Sequence, residues 1–135
     1  MSDKPLDAAQ DKPKPKMLVV EDDPAVGSMF LDIFCTRFQI LLAKSSTEAF
    51  ANFAKNPDVA LMILDGNLAG DDNSLEFCAE AKKSFHGPMI CISSDEPMQK
   101  KMLELGCTRC FPKPDAVIST YIFLEDYGSR QDQPL

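Results

Sequence analysis

The stretch that decides the fold is Val59–Gly66, VALMILDG. Its apolar run shows no alternation with polar residues, which is typical of a strand that is buried on both faces of a parallel sheet. The run ends in Asp65, where the apolar core before it cannot solvate a charge. Because ligands of open α/β sheets bind at the carboxyl ends of the strands, Asp65 is a candidate functional residue. A turn aspartate that caps the next loop explains this stretch equally well.

Four more short strands are predicted on either side of this one in the sequence. They are MLVV at 17–20, QILLA at 39–43, MICI at 89–92 and TRCF at 108–111. A helical pattern follows every strand, so strand and helix alternate five times without a repeated motif. The sequence therefore predicts an α/β fold: a doubly wound, flavodoxin-like (βα)5 parallel five-stranded sheet with helices on both faces.

Local signals mark where several helices begin. Asp23 and Pro24 have the residue types of an N-cap and a first helical position. Ser45 and Glu48 have the spacing of a capping box. The later helices are predicted from about 74 to 85, 97 to 105 and 115 to 126. The helix after Pro24 is expected to bury one apolar stripe, formed by Val26, Met29, Phe30, Ile33 and Phe34.

Length and composition describe one domain. The chain has 135 residues, of which 44% are hydrophobic and 26% charged, enough for a single core. No apolar run approaches the ~20 residues of a membrane span. The N-terminus lacks the apolar segment of a signal peptide, so we expect a cytoplasmic protein without membrane contact. Five cysteines, an odd number without secretory context, predict free thiols.

The charge and the chain ends complete this outline. Residues 1–16 are rich in Pro and Lys and have no apolar period, so they are predicted to be a disordered arm. The domain is expected at 17–127, followed by a frayed polar tail at 128–135. The net charge of −7 disfavours nucleic acid as a direct partner. Since no stretch is left for an effector domain, we expect a single-domain protein.

Polar residues follow four of the five predicted strands. They are Glu21 and Asp22 after the first, Asp65 after the third, Ser93 after the fourth and Lys113 after the fifth. The carboxyl ends of parallel strands meet at one edge of a sheet, so these side chains converge. Three carboxylates in one place need a cation, and Mg²⁺ suits them. Together with a hydroxyl and an ammonium group, they favour phosphoryl transfer onto the aspartate.

Four segments in this order, LVVEDDP, LMILDGNL, MICISS and FPKP, make the chain similar to the response-regulator receiver domain over residues 17–126. The resemblance implies that Asp65 is the phosphoacceptor. It also implies that Asp22 binds Mg²⁺ directly and that Glu21 acts through the metal or its water. The backbone carbonyl of Asn67 is the further protein ligand that the resemblance implies.

The remaining implied roles concern the phosphoryl group. Ser93 would be the switch hydroxyl and Lys113 the lysine that pairs with the phosphate. The resemblance also implies a cis peptide bond between Lys113 and Pro114. The implied partners are a sensor histidine kinase or a histidine phosphotransfer protein, with an unidentified downstream protein target.

The chain departs from the family pattern at three positions. Ala69 stands where a proline usually follows the phosphoacceptor, four residues later. Asn73, with one inserted residue, stands where a glycine usually ends that loop. Cys110 replaces the aromatic switch residue of the fifth strand. The phosphorylation site is complete, whereas the coupling between the hydroxyl and an aromatic ring is not.

The predicted function is that of a response regulator, not of a turnover enzyme. Asp65 is expected to accept a phosphoryl group from a phosphohistidine donor in a Mg²⁺-dependent reaction, and the protein to signal by protein contact or to relay the phosphate. A phosphorylation-independent adaptor with the same fold is the alternative. A haloacid-dehalogenase-like phosphatase would need a second aspartate where Asn67 stands. A zinc or redox role for Cys107 and Cys110 is disfavoured, because one pair cannot close a tetrahedral zinc site.

Overall fold

The computed structural model describes residues 13–131, with side chains through Tyr127. Residues 1–12 of the predicted arm and residues 132–135 of the predicted tail lie outside the described residues. The described strands are β1 (Lys16–Val20), β2 (Gln39–Ala43), β3 (Leu61–Asp65), β4 (Met89–Ile92) and β5 (Arg109–Phe111). The helices are α1 (Pro24–Phe34), α2 (Ser46–Lys55), α3 (Leu75–Ala81), α4 (Glu96–Glu104) and α5 (Ala116–Gln131). A 3₁₀ turn, Lys113–Asp115, joins β5 to α5.

All five strands are parallel and form one sheet in the order β2-β1-β3-β4-β5. This is the flavodoxin-like doubly wound order, in which successive strands are added on one side of β1 and then on the other, so that the switch in strand order lies between β1 and β3. The predicted fold class is therefore confirmed. The central strand β3 is buried at every position, as its uninterrupted apolar sequence requires.

Two separate apolar layers cover the two faces of the sheet. One contains side chains of α2, α3 and α4, among them Ala49, Phe77 and Met102. The other contains side chains of α1 and α5, among them Phe30 and Leu124. Alternate residues of the buried strands point into opposite layers, so each strand packs against helices on both faces of the sheet. The carboxyl edge of the sheet lies outside both layers. No helix among the described residues is long and apolar enough to span a bilayer.

The helix starts follow the predicted local signals. The carboxylate of Asp23 accepts a hydrogen bond from the Ala25 N–H at 2.9 Å, and Pro24 is the first residue of α1. The hydroxyl of Ser45 accepts from the Glu48 N–H at 3.1 Å. The Glu48 carboxylate reaches back to the Lys44 N–H at 2.8 Å. These bonds satisfy N–H groups that have no partner within their helices.

Four details of the prediction are wrong. Met29 and Ile33 of the expected stripe are about half exposed, 51% and 49%. Gly27 is buried instead, on the side of α1 that faces Leu42 of β2. The third helix ends at Ala81 rather than near residue 85, because a turn through 82–84 follows it. The other two details concern the ends of the domain and the Lys113–Pro114 bond.

The domain extends further than predicted at both ends. Lys16 belongs to β1, where its carbonyl accepts from the Ala60 N–H at 2.8 Å and its ammonium group binds Asp58 at 3.0 Å. Helix α5 continues to Gln131, so residues 128–131 are helical and not frayed. Stacking of Phe123 on Tyr127, with ring centroids 5.6 Å apart, supports this last part of the helix.

The peptide bond between Lys113 and Pro114 is trans, not cis. The trans bond lies inside the 3₁₀ turn, where the Asp115 N–H donates to the Pro112 carbonyl at 3.2 Å and the Ala116 N–H donates to the Lys113 carbonyl. This turn leads directly into α5 and gives the Lys113 side chain its place at the sheet edge.

Candidate functional site

The carboxyl edge of the sheet gathers the residues that the sequence had singled out. Glu21 and Asp22 follow β1, Asp65 is the last residue of β3, Ser93 follows β4 and Lys113 follows β5. Because β1, β3, β4 and β5 are successive neighbours in the sheet, residues 92 positions apart in sequence come within hydrogen-bond distance.

Three carboxylates form the acidic half of the site. One oxygen each from Glu21, Asp22 and Asp65 lies within 4.8 Å of the other two. Glu21 and Asp65 are buried, at 4% and 2% exposure, and Asp22 is half-buried. The Oε1 atom of Glu21 is buried without a hydrogen-bond partner. A buried carboxylate oxygen of this kind lacks a donor or a cation, and the all-oxygen donor set fits a hard divalent ion.

Lys113 provides the positive charge of the site. Its Nζ atom lies 2.9 Å from Oδ2 of Asp65 and 3.1 Å from Oε2 of Glu21. Its backbone N–H donates to the hydroxyl of Ser94 at 3.1 Å, which ties the start of the 3₁₀ turn to the loop after β4. One ammonium group thus bridges two carboxylates that would otherwise repel each other.

The pKa values of these groups are set by burial and by one another. Burial, with the neighbouring Asp65, raises the pKa of Glu21 to about 7. Burial also raises the pKa of Asp65, although Glu21 and Lys113 oppose this. Burial lowers the pKa of Lys113, but the two carboxylates outweigh it and the net shift is upward. Burial therefore makes full ionisation of the Glu21–Asp65 pair unfavourable, and the Lys113 ammonium group offsets part of that cost.

A cleft of about 380 Å³ opens beside Asp65. Asn67, Ser93 and Asp95 line it together with Ser94 and Lys113. The Asn67 N–H donates to Oδ1 of Asp65 at 3.2 Å, so each Asp65 oxygen has a different donor. The hydroxyl of Ser93 accepts from the Asp95 N–H at 3.1 Å. The cleft thus brings the Lys113 ammonium group and two serine hydroxyls next to the Asp65 and Asp95 carboxylates.

Asp23 lies outside the acidic cluster. It is exposed, and its carboxylate caps α1. Its contribution to the site is its backbone N–H, which donates to Oε2 of Glu21 at 3.0 Å. The sequence-based division between Asp22 at the cluster and Asp23 at the cap is consistent with this geometry.

Three contacts at the site were missed from the sequence. The hydroxyl of Ser74 donates to the backbone carbonyl of Asp65 at 2.6 Å. The side-chain amide of Gln99 donates to the carbonyl of Ser93. Gly66 lies under α4, where a Cβ atom would come 2.4 Å from Cγ of Met98. For Ser74 a signal was available, because it is adjacent to the irregular loop end at Asn73. The contacts of Gln99 and Gly66 could not be predicted from the sequence, because they depend only on how α4 packs against the sheet edge.

The cysteines do not form a metal cluster among the described residues. All five are free. The thiol of Cys107 lies 3.9 Å from the thiol of Cys78 rather than being paired with Cys110. The thiol of Cys110 donates to the backbone carbonyl of Gln99 at 3.5 Å.

No protein-family model matches the chain, and a search of curated proteins found no match in sequence. Solved structures do match it. A two-component response regulator from Clostridium difficile superposes with a TM-score of 0.77 at 17% identity, covering 89% of this chain and 100% of that one. The non-phosphorylated HemR receiver domain from Leptospira biflexa gives 0.71 at 26% identity, covering 84% and 93%.

The fold is that of a response-regulator receiver domain. A third match is a response regulator from Burkholderia pseudomallei with a phosphorylated aspartic acid, a calcium ion and citrate. It has a TM-score of 0.70 at 17% identity, and the match covers 80% of this chain and 65% of that one. The acidic cluster of this chain, at the carboxyl edge of the sheet, is consistent with a divalent metal site.

Proposed function

We propose that this receiver domain accepts a phosphoryl group on Asp65 from a phosphohistidine donor in a Mg²⁺-dependent reaction. The observation that carries the proposal is the position of the Asp65 carboxylate. It is buried at the end of β3, within 4.8 Å of two other acids and 2.9 Å from the ammonium group of Lys113. A buried nucleophilic carboxylate between a cation-binding set and a fixed positive charge has the arrangement that phosphoryl transfer onto aspartate needs.

The metal would be held by Glu21, Asp22, Asp65 and the backbone carbonyl of Asn67. The unsatisfied Oε1 atom of Glu21 supports this assignment, because it lies in the cluster and lacks a partner. When bound, Mg²⁺ supplies charge neutralisation and orients an oxygen of the phosphoryl group.

The residues of this chain do the remaining work. A carboxylate oxygen of Asp65 forms the new bond to phosphorus, while the P–N bond to the donor imidazole breaks and the imidazole keeps that electron pair. Lys113 pairs with a phosphoryl oxygen and offsets the added charge. The Ser93 hydroxyl accepts from Asp95 in this structure, so its own hydrogen can turn to a second phosphoryl oxygen.

The donor is proposed to be a sensor histidine kinase or a histidine phosphotransfer protein. In this proposal the domain acts alone in the cytoplasm, signals by contact with a downstream protein or passes the phosphoryl group on, and later loses it by its own hydrolysis. The alternative is a receiver-like adaptor that binds its partners without phosphorylation. It is favoured by the missing aromatic ring at Cys110, whose thiol bonds to α4 instead.

Intact mass spectrometry after incubation with acetyl phosphate and Mg²⁺ tests the proposal. The wild type should gain the mass of one phosphoryl group, and Asp65→Asn should not, because an amide cannot form the acyl phosphate. Asp71→Asn is the matched control: it removes an exposed carboxylate from the same loop and should label like the wild type. Labelling that persists in Asp65→Asn would contradict the assignment of Asp65 as the phosphoacceptor, and a wild type that stays unlabelled would favour the adaptor.

A further inference from the structure

We infer that Ser74 is a positioning residue for the phosphoacceptor, an assignment that rests on the proposed function of Asp65. Its hydroxyl and its backbone N–H hold the two peptide groups that connect Asp65 to Asn67. They thereby fix where the Asp65 carboxylate and the Asn67 carbonyl lie.

Ser74 makes two hydrogen bonds to the end of β3. Its Oγ atom donates to the carbonyl of Asp65 at 2.6 Å, and its N–H donates to the carbonyl of Gly66 at 3.1 Å. The side chain is fully buried, at 0% exposure. Both carbonyls lie at the point where the strand ends. A buried carbonyl there needs a donor from elsewhere in the chain.

Ser74 precedes α3 at a position where its hydroxyl would normally cap the helix, but it does not do so here. Ser74 is the N-cap of α3, a position where serine normally accepts from the N–H groups of the first turn. Here its side chain makes no capping bond. The neighbouring Asn73 accepts from the Leu75 N–H at 2.9 Å and takes over that role. The chain thus uses two residues for the cap and keeps the serine hydroxyl for Asp65.

The rest of the loop is held from the opposite end. The Leu68 N–H donates to the carbonyl of Asp72 at 3.0 Å. The Asp72 carboxylate accepts from the N–H and the hydroxyl of Ser46 at 2.8 and 2.6 Å, which ties the loop to the start of α2. This loop has Ala69 where proline is usual. Side-chain hydrogen bonds of Ser74, at the site, and of Asp72, remote from it, supplement the backbone hydrogen bonds of this loop.

Loss of the Ser74 hydroxyl is expected to change the positions of Asp65 and Asn67 at the site. The Asn67 N–H reaches Oδ1 of Asp65, so a shift in the intervening peptides moves both the carboxylate and its donor. Partners that orient metal ligands typically change metal affinity by about 10- to 100-fold when they are removed. The phosphorylation rate depends on the same geometry.

The test compares Ser74→Ala with Ser46→Ala, which breaks a hydrogen bond of the same loop at its far end. Amide chemical shifts are recorded without metal and during a Mg²⁺ titration, and labelling by acetyl phosphate is timed. We expect Ser74→Ala to shift the Gly66 and Asn67 amides in the metal-free protein and to weaken Mg²⁺ binding about tenfold. Ser46→Ala should leave both within about twofold, although it lowers the melting temperature. Ser74→Thr, which keeps the hydroxyl, should recover most of the affinity.

Equal Mg²⁺ affinity and unchanged Gly66 and Asn67 amides in Ser74→Ala would overturn the assignment, as would equal effects of the two alanine variants. If Ser74→Ala does not fold, Ser74→Cys takes its place, because it keeps the volume with a weak donor. The two failures are distinct. A wild type that does not label refutes the proposed function, whereas the metal-free amide shifts still report whether Ser74 positions Asp65.

Discussion

The two halves of the sheet edge are built differently. On the β1 and β3 side, charged groups meet at short range: Lys113, which extends from the turn after β5, bridges Glu21 and Asp65 at 3.1 and 2.9 Å. On the β4 and β5 side, neutral groups make the contacts: the amide of Gln99 reaches the Ser93 carbonyl, and the thiol of Cys110 reaches Gln99. The first half has what phosphoryl transfer needs. The second half connects that site to α4 without an aromatic ring.

The hydrogen bonds on the β4 and β5 side are weaker than the ion pairs of Lys113. A thiol is a poor hydrogen-bond donor, and its 3.5 Å contact with the Gln99 carbonyl is long. Burial raises the pKa of Cys110, so the thiol keeps its proton and stays a donor. Cys110 also lies opposite Cys91 in the register of β4 and β5. These contacts join α4 to β5, but they are small beside the volume that an aromatic side chain would move.

The largest effect is expected from Lys113→Ala. This variant leaves the buried Asp65 and Glu21 carboxylates without their shared ammonium group, and phosphorylation by acetyl phosphate should slow by about 100-fold or more. Lys83→Ala is the control, because it removes an exposed ion pair with Glu80 on the surface. Its labelling rate should equal that of the wild type. Comparable labelling rates in the two variants would show that Lys113 does not contribute to phosphorylation.

Glu21→Gln should raise the stability of the metal-free protein above neutral pH and reduce the stabilisation that Mg²⁺ provides. The pKa of Glu21 rises from 4.5 to about 7 on folding. The stability that its protonated form contributes is therefore complete below about pH 4.5 and is lost as the pH rises through about 7. The neutral amide does not ionise, so metal-free Glu21→Gln should be more stable to unfolding than the wild type at pH 8, and this advantage should shrink at pH 5.

Added Mg²⁺ should reverse that order, because it stabilises the wild type and has little effect on the amide variant. Denaturant unfolding at pH 5 and pH 8, with and without Mg²⁺, measures both effects. Glu104→Gln, on the exposed side of α4, serves as the control and should follow the wild type. A Glu21→Gln variant that Mg²⁺ stabilises as much as the wild type would contradict the assigned ligand set.

Asp22→Ala and Asp23→Ala separate the metal site from the helix cap. Asp22 belongs to the acidic cluster, so its removal should weaken Mg²⁺ binding strongly. Asp23 accepts from the Ala25 N–H, and its removal should cost about 1 kcal/mol of folding free energy with a much smaller loss of affinity. Calorimetric titration and thermal unfolding of both variants measure this. An equal loss of affinity would show that the two roles are not divided.

The smallest effect is expected in β5. Beryllofluoride mimics a phosphoryl group on Asp65, and it should shift amides in the loop at 93–97 while those at 108–111 move little. The reason is that Cys110 is too small to follow Ser93 inward as a ring would. Partner discrimination would then depend on that loop and on the charge at Asp65. Shifts of the same size in both segments would show that Cys110 and Gln99 relay the change to β5.

The fold and the charged half could be predicted because their signals are local. The uninterrupted apolar run before Asp65 marked the central strand, and residue types at strand ends marked Glu21, Asp22 and Lys113. Parallel strands place their carboxyl ends together, so no further information was needed to bring these residues close. In the structure, the Nζ atom of Lys113 lies 3.1 Å from Glu21 and 2.9 Å from Asp65.

The parts that were missed depend on which surfaces pack together. Met29 and Ile33 share the periodicity of the α1 stripe, yet the helix buries Gly27, Phe30 and Phe34 and leaves those two side chains half exposed. The roles of Ser74 and Gln99 arise from loop and helix positions that no sequence period encodes. Helix α5 was expected to end early because its last residues are polar, and propensity alone does not reveal the Phe123–Tyr127 stack.

The most direct test of the account locates the phosphoryl group itself. The wild type is labelled with acetyl phosphate and Mg²⁺, reduced with borohydride, which converts an aspartyl phosphate to homoserine, and analysed by peptide mass spectrometry. The account predicts homoserine at position 65 and at no other aspartate. Homoserine at position 22 instead, or none in fully folded, Mg²⁺-saturated protein, would contradict it.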